Sequence, residues 1–120
     1  MFKFKKLEIY NLSMNLVVDC YDLIKKFPNE EKYGLASQMK RAAISIPSNI
    51  AEGASRYSSK EKTHFINISY SSLMELLCQV DIAEGLNLIS EEDKNSFFKR
   101  ANHLGAKITA FSKAIGSKNS

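Results

Sequence analysis

The sequence predicts an all-α chain, an antiparallel up-down-up-down four-helix bundle with a proline-kinked second helix, built as one domain over residues 1–120. Three observations predict it. Apolar residues recur at three- and four-residue steps in four separate stretches, the period of one helix face. Breakers are few, with five Gly and two Pro. The stretches are joined by short links, which makes sequential helices antiparallel neighbours. A chain of 120 residues is long enough for one core.

Helix 1 is expected over about residues 6–27, where Ile9, Leu12, Leu16, Cys20, Leu23 and Phe27 form the apolar face and Pro28 ends it. Asn29 is the expected N-cap of helix 2, with Glu30 and Glu31 in a first turn that favours negative charge.

Helix 2 is expected over about residues 30–55 with the stripe Leu35, Met39, Ala42, Ile46 and Ile50. Pro47 falls inside it and costs ~3 kcal/mol there, because it lacks an N–H and crowds the carbonyl of Ala43. A new helix starting at Pro47 is the alternative. It would make Ile46 the N-cap, a poor choice. The stripe also keeps phase across the proline, which favours a continuous, kinked helix.

Helix 3 opens on Ser58-Ser59-Lys60-Glu61, a capping box. Its inner face is expected at Phe65, Ile68, Ser72, Leu76, Gln79 or Val80, Ala83 and Leu86, ending near residue 86, and Ser69, Ser71 and Ser72 are small enough to let a neighbouring helix come close. Helix 4 opens on Ser90-Glu91-Glu92-Asp93, a second box, and spans about residues 90–115. Phe97, Ala101, Leu104, Ile108, Phe111 and Ile115 step along it as a heptad seam, and the tail Gly116–Ser120 is expected to fray.

Helix 2 carries a second pattern. At about 100° per residue, Gln38, Arg41, Ser45, Ser48, Asn49, Glu52 and Arg56 share roughly a third of the circumference beside the apolar stripe. They form either a solvated edge with local pairs such as Glu52–Arg56 or a polar network at a helix or subunit interface.

The net charge is +4, distributed as +2 over residues 1–27, +1 over 28–57, −2 over 58–89 and +3 over 90–120. Such a balance is either a solubilising mixture or a weak electrostatic attractant for nucleic acid. Cys20 and Cys78 fall at apolar-face positions and are expected as buried free thiols, consistent with a reducing cytoplasm. Two cysteines without a neighbouring His make no zinc site. The basic start MFKFKK is not followed by an apolar core, because Glu8, Asn11, Asn15 and Asp19 interrupt it, and no run reaches the ~18 apolar residues of a membrane span. The expectation is a soluble, cytoplasmic chain with no membrane association.

Catalysis has little support. His64 and His103 read as surface histidines, and His103 follows Arg100 by three residues only. Glu61 and His64 make a single Glu-x-x-His pair where a di-iron bundle needs two, and no glycine-rich phosphate loop occurs. No enzyme activity, cofactor or metal is expected.

One resemblance is specific. Phe27-Pro28, Glu31, Tyr33-Gly34-Leu35, Gln38, Arg41-Ala42-Ala43, Ser45-Ile46-Pro47-Ser48-Asn49-Ile50-Ala51-Glu52-Gly53, Arg56, Ser58 and Glu61, followed by Phe65, Ile68, Ser72, Glu75-Leu76 and Ala83, resemble the pattern of one family. It is the family of four-helix-bundle proteins first found encoded in intervening sequences of 23S ribosomal RNA genes. The resemblance covers about residues 7–115; Ile9-Tyr10 stands where many relatives carry a tryptophan. It implies an antiparallel bundle that assembles into a homopentameric ring of largely unassigned role. The family is also similar to the nucleic-acid-binding accessory protein of diversity-generating retroelements. Five copies here would carry a formal charge of +20, five times the chain's +4.

Two functions are therefore expected. The first is a scaffold binding RNA or other nucleic acid through its backbone, with Lys25, Lys26, Lys99, Arg100, Lys107 and Lys113 as contacts alongside Lys3, Lys5 and Lys6. No aromatic residue interleaves regularly with these cations, so base stacking is not indicated. The second is an adaptor presenting a pentameric surface to a partner protein. In either case Gln38, Arg41, Ser45, Asn49, Glu52 and Arg56 serve assembly and bundle geometry.

Overall fold

A computed structural model of the chain describes residues 2–31 and 34–118. Four α-helices follow one another, α1 (Glu8–Ile24), α2 (Leu35–Ala54), α3 (Ser59–Gly85) and α4 (Glu91–Lys118), with 3₁₀ turns at Lys3–Lys6 and Asn29–Glu31. No strand occurs among the described residues. The helices form a rod of 48 × 22 × 22 Å in which α2 and α3 pack most extensively and α1 closes against α2 and α4.

Cross-helix contacts descend one helix as they climb its neighbour. Between α1, with the turn that follows it, and α4 they join Glu8 to Lys107, Asp19 to Arg100 and Lys26 to Asp93. Between α2 and α3 they join Ala54 to Lys62, Ile46 to Ser69 and Ser45 to Ser72.

The core follows the predicted faces closely on three helices. Ile9, Leu16, Cys20 and Leu23 of α1, Met39, Ala42, Ile46 and Ile50 of α2, and Phe97, Ala101, Leu104 and Ile108 of α4 are all buried. Removing this apolar surface from water is the main stabilising term. α2 runs unbroken through Pro47, itself buried.

The first half of α3 departs from expectation. Its buried residues are Ile66, Ser69, Leu73, Leu76, Gln79, Val80 and Ala83, while Phe65, Ile68 and Ser72 are only half-buried and Leu86 is exposed. Two overlapping stripes, 65-68-72 and 66-69-73, both have helical spacing, because α3 packs against α2 on one side and α4 on the other. The stripe between the two partners is the buried one.

The ends of the helices also differ in part. α1 starts at Glu8 because Leu7 is extended (φ −76°, ψ 131°) and separates it from the 3₁₀ turn. Asn29 does not cap α2. It opens the Asn29–Glu31 turn, and Gly34, at φ −104° and ψ −110°, precedes the helix without a side-chain cap. Ser58 and Ser90 do cap, accepting from the backbone N–H of Glu61 at 3.1 Å and Asp93 at 3.0 Å. α3 ends in a Schellman motif: Asn87 takes φ 62°, its N–H reaches the Glu84 carbonyl, and the Leu88 N–H reaches that of Ala83, both at 2.9 Å. α4 continues to Lys118, so Gly116 is helical rather than part of a frayed tail; Asn119, Ser120 and the Tyr33 of the family pattern lie outside the described residues.

Cys20 is buried as expected, but Cys78 is exposed, because the inward positions around it are taken by Leu76, Gln79 and Val80. No helix is long and apolar enough to cross a membrane among the described residues.

Candidate functional site

The polar stripe of α2 is divided by its neighbours. Its middle faces α3. Ser45 Oγ lies 2.8 Å from Ser72 Oγ, and Asn49 Nδ2 donates to the Ser45 carbonyl at 2.8 Å and to Ser45 Oγ at 2.9 Å. Ser69 Oγ donates to the Ile46 carbonyl at 2.9 Å in the buried seam. Small hydroxyl residues thus let α2 and α3 approach while satisfying each other's polar atoms. Gln38, Arg41 and Ser48 are exposed instead, with Ser48 Oγ returning to the Ile44 carbonyl of its own helix at 2.8 Å.

The end of the stripe builds the corner between α2 and α3. Gly53 lies so close to α3 that a β-carbon there would stand 3.1 Å from the Lys62 carbonyl and 3.2 Å from Phe65 Cβ. One turn on, the Arg56 guanidinium stands over the Phe65 ring at 4.7 Å and pairs with Glu52 at 3.5 Å. Its Nε is buried without an acceptor, whereas Lys62 Nζ donates to the Ala54 carbonyl at 3.4 Å.

The six cations expected to contact nucleic acid do not form one surface. Four are paired: Lys25 with Asp22 at 3.4 Å, Lys26 with Asp93 at 2.7 Å, Arg100 with Asp19 at 3.3 Å and Lys107 with Glu8 at 3.3 Å. The last three form a ladder of ion pairs along the α1–α4 seam, with the acid on the α1 side in two of them and on α4 in the third. The Lys26 ammonium, donating to Asp93, holds that carboxyl below its ordinary value, and the Ser90 hydroxyl adds to the effect. Lys99 and Lys113 have no carboxylate partner among the described residues.

The order of the helices sorts charge along the rod instead. One end gathers the start of α1, the α2–α3 corner and the last turns of α4. It holds Lys3, Lys5, Lys6, Arg56, Lys60, Lys62, Lys107 and Lys113 against Glu8, Glu52 and Glu61. The other end holds Asp22, Glu30, Glu31, Asp81, Glu84, Glu91, Glu92 and Asp93 against Lys25, Lys26, Lys40, Lys94 and Lys99. There Glu84, assisted by Asp81, raises the pKa of Lys94.

The basic end also carries aromatic rings. Phe2 stacks on Phe4 with centroids 6.0 Å apart, Phe4 meets Tyr10 edge-on at 4.9 Å, and Tyr57 is 100% exposed. Phe2, Phe4, Tyr57, Lys60 and Lys62 were not singled out from the sequence. The available signal was the alternation Phe2-Lys3-Phe4-Lys5 and the Arg56-Tyr57 pair before the Ser58 cap, two segments that an up-down order brings to one end.

His64 and His103 are both exposed, and no group of three or more His, Cys, Asp or Glu side chains converges as a metal site among the described residues. Burial pushes the Cys20 thiol up to about 12, against a smaller opposing pull from Lys40, so it is a neutral core group.

The chain is similar in fold to a crystal structure, at 1.70 Å, of a Bacteroides thetaiotaomicron protein of unknown function from the S23 ribosomal protein family. The likeness has a TM-score of 0.80 at 21% identity, over 88% of this chain and 98% of that one. No curated protein matches the chain. The family model for the 23S rRNA-intervening sequence protein matches residues 5–110, most of its length and all of the α2 stripe, and the chain belongs to that family.

Proposed function

We propose that this protein is a non-enzymatic, cytoplasmic scaffold that assembles with copies of itself, as a homopentamer, and binds RNA through the phosphate backbone at its basic end. The observation that carries the reading is the separation of charge along the rod, with eight cations facing three carboxylates at one end and eight carboxylates facing five cations at the other. A concentrated cationic end attracts a polyanion where a mixed surface of the same net charge does not. The Lys26–Asp93 and Arg100–Asp19 pairs, away from the basic end, are assigned to holding the α1 and α4 sides together rather than to nucleic acid.

Assembly is supported by apolar side chains left outside the core. Met14, Val18 and Ile44 are exposed on the α1–α2 side, and Tyr70, Met74 and Ile82 on α3. Arg41 and Gln38, exposed beside them on α2, are positioned to set register between copies.

The test is solution mass by light scattering, with and without a mixed RNA pool, at low and high salt. A mass five times that of the 13.5 kDa chain, growing with RNA only at low salt, is expected. A pentamer indifferent to RNA would favour an adaptor for a partner protein, and a monomer would remove the assembly.

A further inference from the structure

The basic end contains a cavity of about 490 Å³ between the first residues of the chain and the α2–α3 corner, lined in part by Phe2, Lys3, Phe4, Arg56, Tyr57 and Lys62. We propose that it is a binding site for a nucleoside phosphate unit, with the base stacked on the aromatic rings and the phosphate held by the three cations.

The volume lies within the ~300–1,000 Å³ of small-ligand sites. The lining combines the two chemistries such a unit needs. Flat rings are offered by Tyr57, 100% exposed, and Phe2, 74% exposed, with Phe4 stacked behind Phe2 at an interplanar angle of 18°. Large apolar rings left in water on a short corner gain from a stacking partner, and every base has a π-face to supply one.

Positive charge is held in place beside them. Arg56 is fixed from below by the Phe65 ring and from one side by Glu52. A guanidinium held in this way loses little freedom when it meets a phosphate. Lys62 is drawn across the corner towards the Ala54 carbonyl. Lys3 has no carboxylate partner among the described residues. No acid lines the cavity among the described residues, and Glu52 beside it is engaged by Arg56 and by Ser55 Oγ, which donates to it at 3.4 Å. The tight seat of Gly53 against α3 fixes the α2–α3 corner that forms one side of the cavity.

The site rests on the nucleic-acid reading for one of its two sources, an unpaired nucleotide of an RNA strand; the other source is a free nucleotide. Three probes separate them: a single-stranded oligonucleotide containing 2-aminopurine, a blunt duplex RNA of equal charge, and adenosine monophosphate. Tyr57→Ala is the main variant because that side chain touches nothing the fold needs, with Lys3→Gln as a second and Lys99→Gln as a control away from the cavity.

The expected result is quenching of 2-aminopurine by the parent protein and about tenfold weaker single-strand binding in Tyr57→Ala, with duplex binding unchanged and Lys99→Gln without effect on the quenching. Tyr57-dependent binding of adenosine monophosphate without binding of either RNA would uphold the site with the free nucleotide as ligand, and would sink the scaffold reading alone. Equal binding of single strand and duplex, both indifferent to Tyr57 and Lys3, would overturn the site and leave the scaffold reading standing. Binding of none of the three probes would overturn both.

Discussion

Replacing Gly53 by alanine tests the packing on which the basic end depends. The β-carbon would meet the Lys62 carbonyl at 3.1 Å, Phe65 Cβ at 3.2 Å and Ile66 Cδ1 at 3.4 Å. Only the last of these can turn aside; the other two belong to the rigid body of α3. Overpacking of this kind costs about 1–3 kcal/mol, while alanine in place of glycine inside a helix returns about 1 kcal/mol. Gly105, inside α4, separates the two effects. A β-carbon there meets Leu73 Cδ2 at 3.4 Å and Tyr70 Cε2 at 3.7 Å, ordinary contacts with side chains. Gly105→Ala is therefore expected to stabilise by up to about 1 kcal/mol and Gly53→Ala to destabilise by about 1 kcal/mol, a separation of roughly 2 kcal/mol. Urea unfolding followed by circular dichroism measures both, at one protein concentration because assembly would couple to stability. A Gly53→Ala protein as stable as Gly105→Ala would refute the close approach of α2 and α3.

Three further predictions follow from individual contacts. Asp93 has a depressed folded pKa, so its pairing with Lys26 contributes stability above the ordinary value of 3.8 that is lost as pH falls through the folded value; thermal melts of Asp93→Asn should lie below the parent near pH 7 and converge with it in stronger acid. A disulfide-exchange reagent should titrate Cys78 at once and Cys20 only on unfolding, since one thiol is exposed and the other is buried with its pKa pushed up to about 12; two equally fast thiols would contradict the described core. Asn49→Ala removes two hydrogen bonds in the α2–α3 seam and should lower stability by about 1 kcal/mol, whereas Arg41→Ala, at an exposed position, should leave unfolding within about 0.5 kcal/mol and change only the association state.

The parts of this fold that were legible in the sequence are the local ones. The α4 seam from Phe97 to Ile108 is a single stripe on one helix, and the Ser58 and Ser90 caps act within three residues of themselves, so spacing alone identified them. The inner face of the first half of α3 was not legible. Phe65 and Ile66 begin rival stripes of equal spacing, and the choice between them is made by α2 and α4 on either side. Asn87 stops α3 through its left-handed backbone, which the string Leu86-Asn87-Leu88 only hinted at.

The candidate site was less legible still, for the same reason at longer range. Lys26 and Asp93 are 67 residues apart, so counting lysines on helices 1 and 4 could not reveal that an acid sits against one of them. Net charge per quarter of the chain also conceals the separation along the rod. Each end is assembled from the beginning of one helix and the end of the next, and only their order brings Lys5, Lys62 and Lys113 together.

On the proposed reading RNA meets the basic end and not the α1–α4 seam. Two double variants that lower the net charge equally test it: Lys5→Gln with Lys6→Gln at the basic end, and Lys25→Gln with Lys99→Gln away from it. The measurement is the slope of log affinity for a duplex RNA against log salt concentration. A slope shallower by about 0.9 for each contacting lysine removed at the basic end is expected, with the slope of the second variant unchanged. Equal losses in both variants, or a loss confined to the second, would contradict it.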